Sequence, residues 1–129
     1  NISSMGGFPP VPGQTMYGAS KAAVKLMTEG LYAELLNTNV RVTIVFPGAI
    51  GTNISSNSGL KVDPAMAEKS TIKMLAPKEA ARIIIDAIEK NRYSVMVGSD
   101  SRMMDFFYRL SPKMAAGLIH RQMKSLLEN

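Results

Sequence analysis

Residues 40–46 restrict the fold of this chain more than any other segment does. Their sequence, Val-Arg-Val-Thr-Ile-Val-Phe, is rich in β-branched side chains and largely apolar on both faces of an extended strand. A strand with two apolar faces must be covered on both sides, as it is in a parallel sheet with helices on either face. The segment therefore predicts an α/β fold.

Helical patterns lie on both sides of this strand in the sequence. Residues 17–36 carry an apolar surface broader than one core-facing stripe requires. A second helix is predicted to begin at Pro77, where proline suits the first turn. Its core-facing residues recur at helical spacing: Ala80, Ile83, Ile84, Ala87 and Ile88. A short strand at 93–97 follows, and the polar residues 51–73 predict a loop that covers a substrate or, alternatively, an ordinary surface loop.

A tyrosine and a lysine one helical turn apart are the first candidates for chemistry. Tyr17 and Lys21 share one helix face, with β-carbons about 5–6 Å apart. A free phenol has a pKa near ~10, and a fixed ammonium nearby favours the phenolate. Ser4 follows an apolar segment and would offer a hydroxyl to a substrate oxygen. The spacing alone also fits a surface lysine beside a half-buried tyrosine.

Four segments, taken in order, resemble the short-chain dehydrogenase/reductase family. They are Asn1-Ile-Ser-Ser4, Tyr17-Gly-Ala-Ser-Lys21, the strand at 40–46, and Pro47-Gly-Ala-Ile-Gly-Thr52. The resemblance implies a doubly wound parallel sheet of the Rossmann type, of which this chain would be the carboxyl-terminal half. It also implies an oxidoreductase that interconverts an alcohol and a carbonyl by hydride transfer, with NAD or NADP as cofactor.

The resemblance assigns roles to individual residues as well. By this reasoning Tyr17 exchanges a proton with the substrate, Lys21 activates it and bonds the nicotinamide ribose, and Ser4 orients the substrate oxygen. Ser4 and Tyr17 are then the substrate-binding residues, and Tyr17 and Lys21 also belong to the cofactor site. The remaining cofactor-binding residues are expected to be Pro47, Gly48, Ile50 and Thr52.

The sequence also departs from the family pattern. The Gly-rich phosphate turn, the Asn-Asn-Ala-Gly strand and a catalytic asparagine would all precede Ser4, and none is in the sequence. The position that selects NAD or NADP is missing too. We therefore expect the chain to be a fragment of a longer polypeptide that is inactive alone, and the choice between the two cofactors stays open.

Composition excludes several other classes of protein. The net charge of +5 suggests nucleic acid, but the basic residues are scattered and aromatic residues make up only 6% of the chain, which favours a solvated surface. There are no cysteines, hence no disulfides, and no run of about 18 apolar residues. A cytoplasmic location is predicted, with membrane association left open. His120 is the only histidine, and no metal site is expected.

The last thirty residues predict two amphipathic helices divided at Ser111-Pro112. We expect a catalytic half at 1–99 and a helical tail at 100–129 that packs on it. The predicted apolar residues of the tail are Met103, Met104, Phe106, Phe107, Leu110, Met114, Leu118, Ile119, Met123, Leu126 and Leu127. Such a tail could cover a lipid-like substrate, lie on a membrane surface, or fold over the sheet or a neighbouring subunit.

Two other functions remain open at this point: a membrane-surface or lipid-binding module, and a non-catalytic interaction protein that keeps the fold. The presence of Ser4, Tyr17 and Lys21 together favours the enzyme. The partners expected for it are a small-molecule alcohol or carbonyl and further copies of the same chain. By the resemblance, the broad apolar surface at 17–36 would pair with its copy in a homodimer or homotetramer; burial within one complete domain is the alternative.

Overall fold

The computed structural model describes residues 1–52 and 74–127. The helices are α1 (Thr15–Glu34), α2 (Pro77–Glu89), α3 (Ser99–Leu110) and α4 (Pro112–Leu127), and the strands are β1 (Ile44–Pro47) and β2 (Ser94–Val97). A 3-10 turn at Met5–Gly7 precedes α1. The predicted covering loop at 51–73 lies outside the described residues, apart from Gly51 and Thr52.

β1 lies between two parallel neighbours. On one side it pairs with β2, in a register that places Ile44 opposite Ser94. On the other side Ile2 forms a parallel bridge to Val45, and the Ser3 N–H donates to the Val45 carbonyl at 2.9 Å. The predicted α/β fold with a parallel sheet is confirmed for the described part of the chain.

β1 is shorter than the sequence predicted, because the hydrogen bonds to its neighbouring segments begin only at Thr43 and Ile44. The amino group of Asn1 donates to the Thr43 carbonyl at 2.9 Å, and the Ile44 N–H donates to the Tyr93 carbonyl at 2.8 Å. Residues 40–42 lie before both contacts and are not in the strand. The prediction of a strand from residue 40 was therefore wrong at its amino end, since the strand begins only at Ile44.

Both faces of the sheet are covered. Successive strand residues point to opposite faces, so Val45 faces away from Ile44 and Phe46. The Val45 face belongs to a core whose buried members are Val45, Ala80, Ala87, Val95 and Val97. On the other face, the ring of Phe46 meets that of Phe8 edge to face, with 5.6 Å between centroids. α2 supplies the first core as predicted, except that Ile88 is exposed.

α1 buries little of its apolar surface. Its buried residue is Thr28, whose hydroxyl donates to the Val24 carbonyl at 2.6 Å and accepts from the Asn1 side-chain amide at 3.0 Å. Its large exposed apolar side chains are Met16, Leu26, Met27, Leu31 and Tyr32. Pairing of this helix with a second copy stays a prediction.

α3 and α4 pack on each other after a break at Ser111. Met104 of α3 and Ala115 and Ile119 of α4 are buried between the helices and their surroundings. The predicted apolar side of α3 is only partly covered, since Met103 and Phe106 are exposed. No helix in the described ranges is both long and apolar enough to cross a membrane. The division of the chain into 1–99 and 100–129 stays a prediction.

The first prediction concerns the close packing of the 3-10 turn on α1. A Cβ on Gly7 would lie 2.8 Å from the Ser3 hydroxyl oxygen and 3.0 Å from the Lys21 backbone. Gly7→Ala should therefore lower the free energy of unfolding by roughly 1–3 kcal/mol, the usual cost of overpacking. Urea unfolding of the full-length gene product that contains this chain measures the effect.

Gly117→Ala is the matched control for this substitution. Gly117 lies within α4, and a Cβ there would meet nothing within 4 Å. Alanine should stabilise that helix by about 0.5–1 kcal/mol. Equal effects of the two substitutions would show that the turn does not press on α1 as described.

Candidate active site

The carboxyl ends of the strands bring the predicted site residues to one edge of the sheet. Ile2 is level with Val45 and the segments are parallel, so Ser4 and Pro47 are level two residues later. Pro47 is in turn opposite Val97. Ligands of open α/β sheets bind outside this edge, so both groups of predicted site residues lie where a ligand would be expected.

Ser4 and Tyr17 lie together beside Gly6, and the Lys21 side chain lies beside Tyr17. From the place where a Cβ on Gly6 would be, the Tyr17 ring atom Cε1 is 3.4 Å away and the Ser4 hydroxyl oxygen is 3.7 Å away. The Lys21 amino nitrogen is 5.9 Å from the centroid of the Tyr17 ring. A hydroxyl, a phenol and an ammonium thus share one small region, as acid–base chemistry on an oxygen requires.

The hydrogen bonds that Ser4 and Lys21 make do not prevent these side chains from contacting a ligand. The Ser4 hydroxyl accepts the Gly6 N–H at 3.1 Å, which uses a lone pair and leaves its own hydrogen for donation. The Lys21 amino group approaches the Ile2 carbonyl at 3.5 Å, so its side chain extends toward the segment that carries Ser4. Tyr17 is 45% exposed, which makes its ring accessible to a ligand.

A buried serine holds α1 against this segment. The Ser3 hydroxyl donates to the Lys21 carbonyl at 2.7 Å, and Ser3 is 3% exposed. A Cβ on Gly18 would lie 3.1 Å from the Gly6 carbonyl oxygen, so the turn approaches α1 closely there as well. The sequence analysis missed Ser3, because nothing in its immediate sequence distinguishes its buried role from that of Ser4.

The predicted cofactor residues form a turn directly after β1. The Leu75 N–H donates to the Ala49 carbonyl at 2.9 Å, the Gly51 N–H donates to the Leu75 carbonyl at 3.0 Å, and Ile50 pairs with Leu75 in a bridge. Pro47, Gly48 and Ile50 are half-buried, whereas Thr52 is exposed. The backbone of the turn is therefore fixed, while Thr52 lies at its accessible end.

Two residues of α3 that the sequence analysis did not identify also hold this turn. Asp100 accepts the Ala49 N–H at 2.6 Å, and the buried Ser101 hydroxyl donates to the Phe46 carbonyl at 2.8 Å. A helix beginning after Gly98 was the available signal. It could not reveal partners more than fifty residues earlier in the chain.

An open cavity of about 420 Å³ lies between the 3-10 turn, the segment that follows it, α1 and the tail, and Ser4, Tyr17 and Lys21 are not among its lining residues. Gly6, Gly7 and Gly18 form part of its wall. Its bulkier lining residues are Phe8, Pro9, Pro10, Val11, Tyr108 and Pro112. The cavity is mostly apolar, and it is bounded by the tail as well as by α1. Within the described residues, no group of three or more acidic, histidine or cysteine side chains could hold a metal ion.

Comparison of this sequence with known proteins finds a matching family model and similar oxidoreductases. Residues 1–63 match the family model described as short chain dehydrogenase. SadH of Mycobacterium tuberculosis, named an oxidoreductase, is 34% identical over 117 residues, which are 85% of this chain and 42% of that protein. The mouse dehydrogenase/reductase SDR family member 7B is 32% identical over 127 residues, 96% of this chain and 38% of that protein.

The chain belongs to the short-chain dehydrogenase family. Its Rossmann-type fold is shared with a short chain dehydrogenase of Burkholderia cenocepacia solved with NADP, with a TM-score of 0.74, 28% identity, and coverage of 92% of this chain and 45% of that one. A 7β-hydroxysteroid dehydrogenase structure matches with a TM-score of 0.65, 27% identity, and coverage of 92% and 44%. This short-chain dehydrogenase sequence thus spans less than half the length of these relatives.

Proposed function

We propose that this chain carries the catalytic residues of an NAD(P)-dependent oxidoreductase that interconverts an alcohol and a carbonyl. The observation that carries the proposal is that Ser4 and Tyr17 meet beside Gly6, with Lys21 next to Tyr17, at the carboxyl edge of a parallel sheet. The family supports it, as does the similar structure solved with NADP. The relatives are more than twice as long, and we propose that residues 1–129 alone do not turn over.

In the proposed mechanism Tyr17 passes a proton to the substrate oxygen when a carbonyl is reduced and takes it back when an alcohol is oxidised. The Ser4 hydroxyl donates a hydrogen bond to the same oxygen and stabilises charge as it develops. The Lys21 ammonium, one turn along α1, favours a negatively charged phenol oxygen and also bonds the ribose. The Lys21 amino nitrogen lies 5.9 Å from the centroid of the Tyr17 ring, which supports the first of these roles.

The turn after β1 fits a nicotinamide cofactor, which supplies or accepts the hydride when bound. Gly48 follows the last residue of β1 directly and is half-buried at the edge of the sheet where ligands of such folds bind. We propose that Pro47 and Gly48 lie against the ring and that Ile50 and Thr52 hold its carboxamide. The backbone bonds from Leu75 support this assignment, because they keep the turn in one conformation. Either NAD or NADP is compatible with these residues.

The second prediction tests the proton donor. In the full-length gene product, Tyr17→Phe should lower kcat by about 10²–10⁴ while the affinity for NADPH and NADH changes little. Phenylalanine keeps the ring and its packing and removes only the hydroxyl. Ser4→Ala should lower kcat with cofactor affinity retained, whereas Lys21→Ala should lower both. Steady-state kinetics and cofactor fluorescence titration measure these effects.

Two other residues of α1, Lys25 and Tyr32, give matched controls. Tyr32→Phe removes a phenol hydroxyl from a ring that packs at a tilt against Tyr93, and Lys25→Ala removes an ammonium that is paired with Glu29 at 2.8 Å. Both should keep near-normal turnover, and isolated residues 1–129 should show none. Tyr17→Phe retaining more than about a tenth of the original kcat, against the ~10²-fold minimum loss for a general acid, would exclude Tyr17 as the donor.

We further propose that the substrate is an apolar alcohol or carbonyl. The support is the mostly apolar cavity of about 420 Å³, whose lining includes Gly6 next to Ser4 and Tyr17, and the similar structure of a hydroxysteroid dehydrogenase. Tyr108 of α3 lines the cavity and contacts Phe8, with 5.8 Å between ring centroids. The tail would then form one wall of the substrate site.

The third prediction tests this role of the tail. Deleting the whole tail would be uninformative, because Ser101 and Met104 are buried and their loss would uncover β1. Tyr108→Ala instead removes a large side chain from the lining of the cavity. It should reduce kcat/KM for a steroid ketone more than for a short aliphatic ketone. Phe106→Ala, on the exposed side of α3, is the control. An unchanged ratio of the two kcat/KM values would contradict the assignment of the cavity.

A further inference from the structure

Three hydrogen bonds join the end of β1 and the turn after it to β2 and α3. The Gly48 N–H donates to the Val97 carbonyl at 2.8 Å, which continues the sheet pairing past Pro47. The Ala49 N–H donates to Asp100 at 2.6 Å, and the Ser101 hydroxyl donates to the Phe46 carbonyl at 2.8 Å. Of these three bonds, the one to Asp100 involves a charged group, and such hydrogen bonds are the stronger kind.

The carboxylate of Asp100 fits between two glycines. A Cβ on Gly48 would overlap this carboxylate, and so would a Cβ on Gly98. Gly98 also has φ = +110°, a conformation that side chains other than glycine rarely adopt. The amino end of α3 favours an acidic residue in its first turn. Glycine at both positions therefore gives the carboxylate access to the Ala49 N–H.

We propose that Asp100 is a positioning residue for the cofactor. Its carboxylate fixes the Ala49 amide and so the orientation of the Gly48 backbone, which faces the nicotinamide ring in the proposed function on which this inference rests. Losing the bond leaves the Ala49 amide without its carboxylate partner, so the Gly48–Ala49 peptide is held less tightly. Asp100 touches neither substrate nor reacting atoms; it acts through the Gly48–Ala49 peptide.

A purely structural role for Asp100 makes a different prediction. If the residue only attaches α3 to the sheet, its loss lowers the melting temperature and leaves cofactor binding unchanged in the folded protein. Positioning requires a change in cofactor affinity well below the melting temperature. Binding of NADPH and NADH, followed by fluorescence, separates these two roles without depending on turnover.

The fourth prediction compares Asp100 with Asp105 in the full-length gene product. Asp105 lies on the same helix and pairs with Arg109 at 2.8 Å, away from the turn. Asp100→Ala should raise the Kd for the cofactor by about tenfold, in line with the loss of one hydrogen bond to a charged group. Asp100→Asn, which can still accept the bond as a neutral amide, should fall between Asp100→Ala and the original protein. Asp105→Ala and Asp105→Asn should stay within about twofold, since exposed pairs contribute little.

A double substitution adds a test that does not depend on overall stability. Gly48→Ala should abolish measurable cofactor binding, because the new methyl group overlaps the carboxylate of Asp100. Adding Asp100→Ala removes the overlapping atoms and should restore the affinity to that of Asp100→Ala alone. Hydrogen exchange at the Ala49 amide should also speed up in both Asp100 variants.

The outcomes of these experiments distinguish failure of the positioning role of Asp100 from failure of the proposed function on which it rests. An original protein that neither binds NADPH or NADH nor uses either would overturn the proposed function. An original protein that binds cofactor, with Asp100 variants indistinguishable from the Asp105 variants, would overturn the positioning role alone. Should Asp100→Ala not fold, the nearly isosteric Asp100→Asn decides the matter by the same titration.

Discussion

The hydrogen bonding of β1 to parallel segments on both sides is the constraint on which the rest of the site depends. Val45 exchanges backbone bonds with Asn1 and Ser3 on one side, while Ile44 and Gly48 bond to the segment around β2 on the other. Parallel pairing brings the carboxyl ends of all three segments to one edge. The residues proposed to handle substrate and those proposed to handle cofactor therefore lie side by side, although more than forty residues separate Ser4 from Gly48.

Close approach of backbones then determines the distances within the site. Gly7 lets the 3-10 turn contact the backbone of Lys21, and Ser3 bonds the same residue from beneath. These contacts fix the position of α1 relative to the 3-10 turn, and therefore the position of Tyr17 relative to Ser4. The turn after β1 depends on the same device, since Gly48 leaves space for Asp100. Small residues in this structure are placed where a functional group must come near a backbone.

The sequence predicted the features that depend on local patterns. The apolar strand, the helix from Pro77 and the break at Ser111 were visible because periodicity and proline act over a few residues. Strand ends were less predictable: residues 40–42 have strand-like side chains, yet the strand begins only at Ile44. Asp100 and Ser101 could not be predicted at all, because their partners lie 51 and 55 residues away and are backbone groups without a sequence signature.

The central claim is that Ser4, Tyr17 and Lys21, together with the turn after β1, form one nicotinamide-dependent site. A crystal structure of the full-length gene product with NADP tests it most directly. The account predicts the nicotinamide ring against Pro47 and Gly48, with the Lys21 amino group within hydrogen-bonding distance, about 3 Å, of a ribose hydroxyl. A dinucleotide bound with its nicotinamide away from Tyr17 and Lys21 would contradict the account.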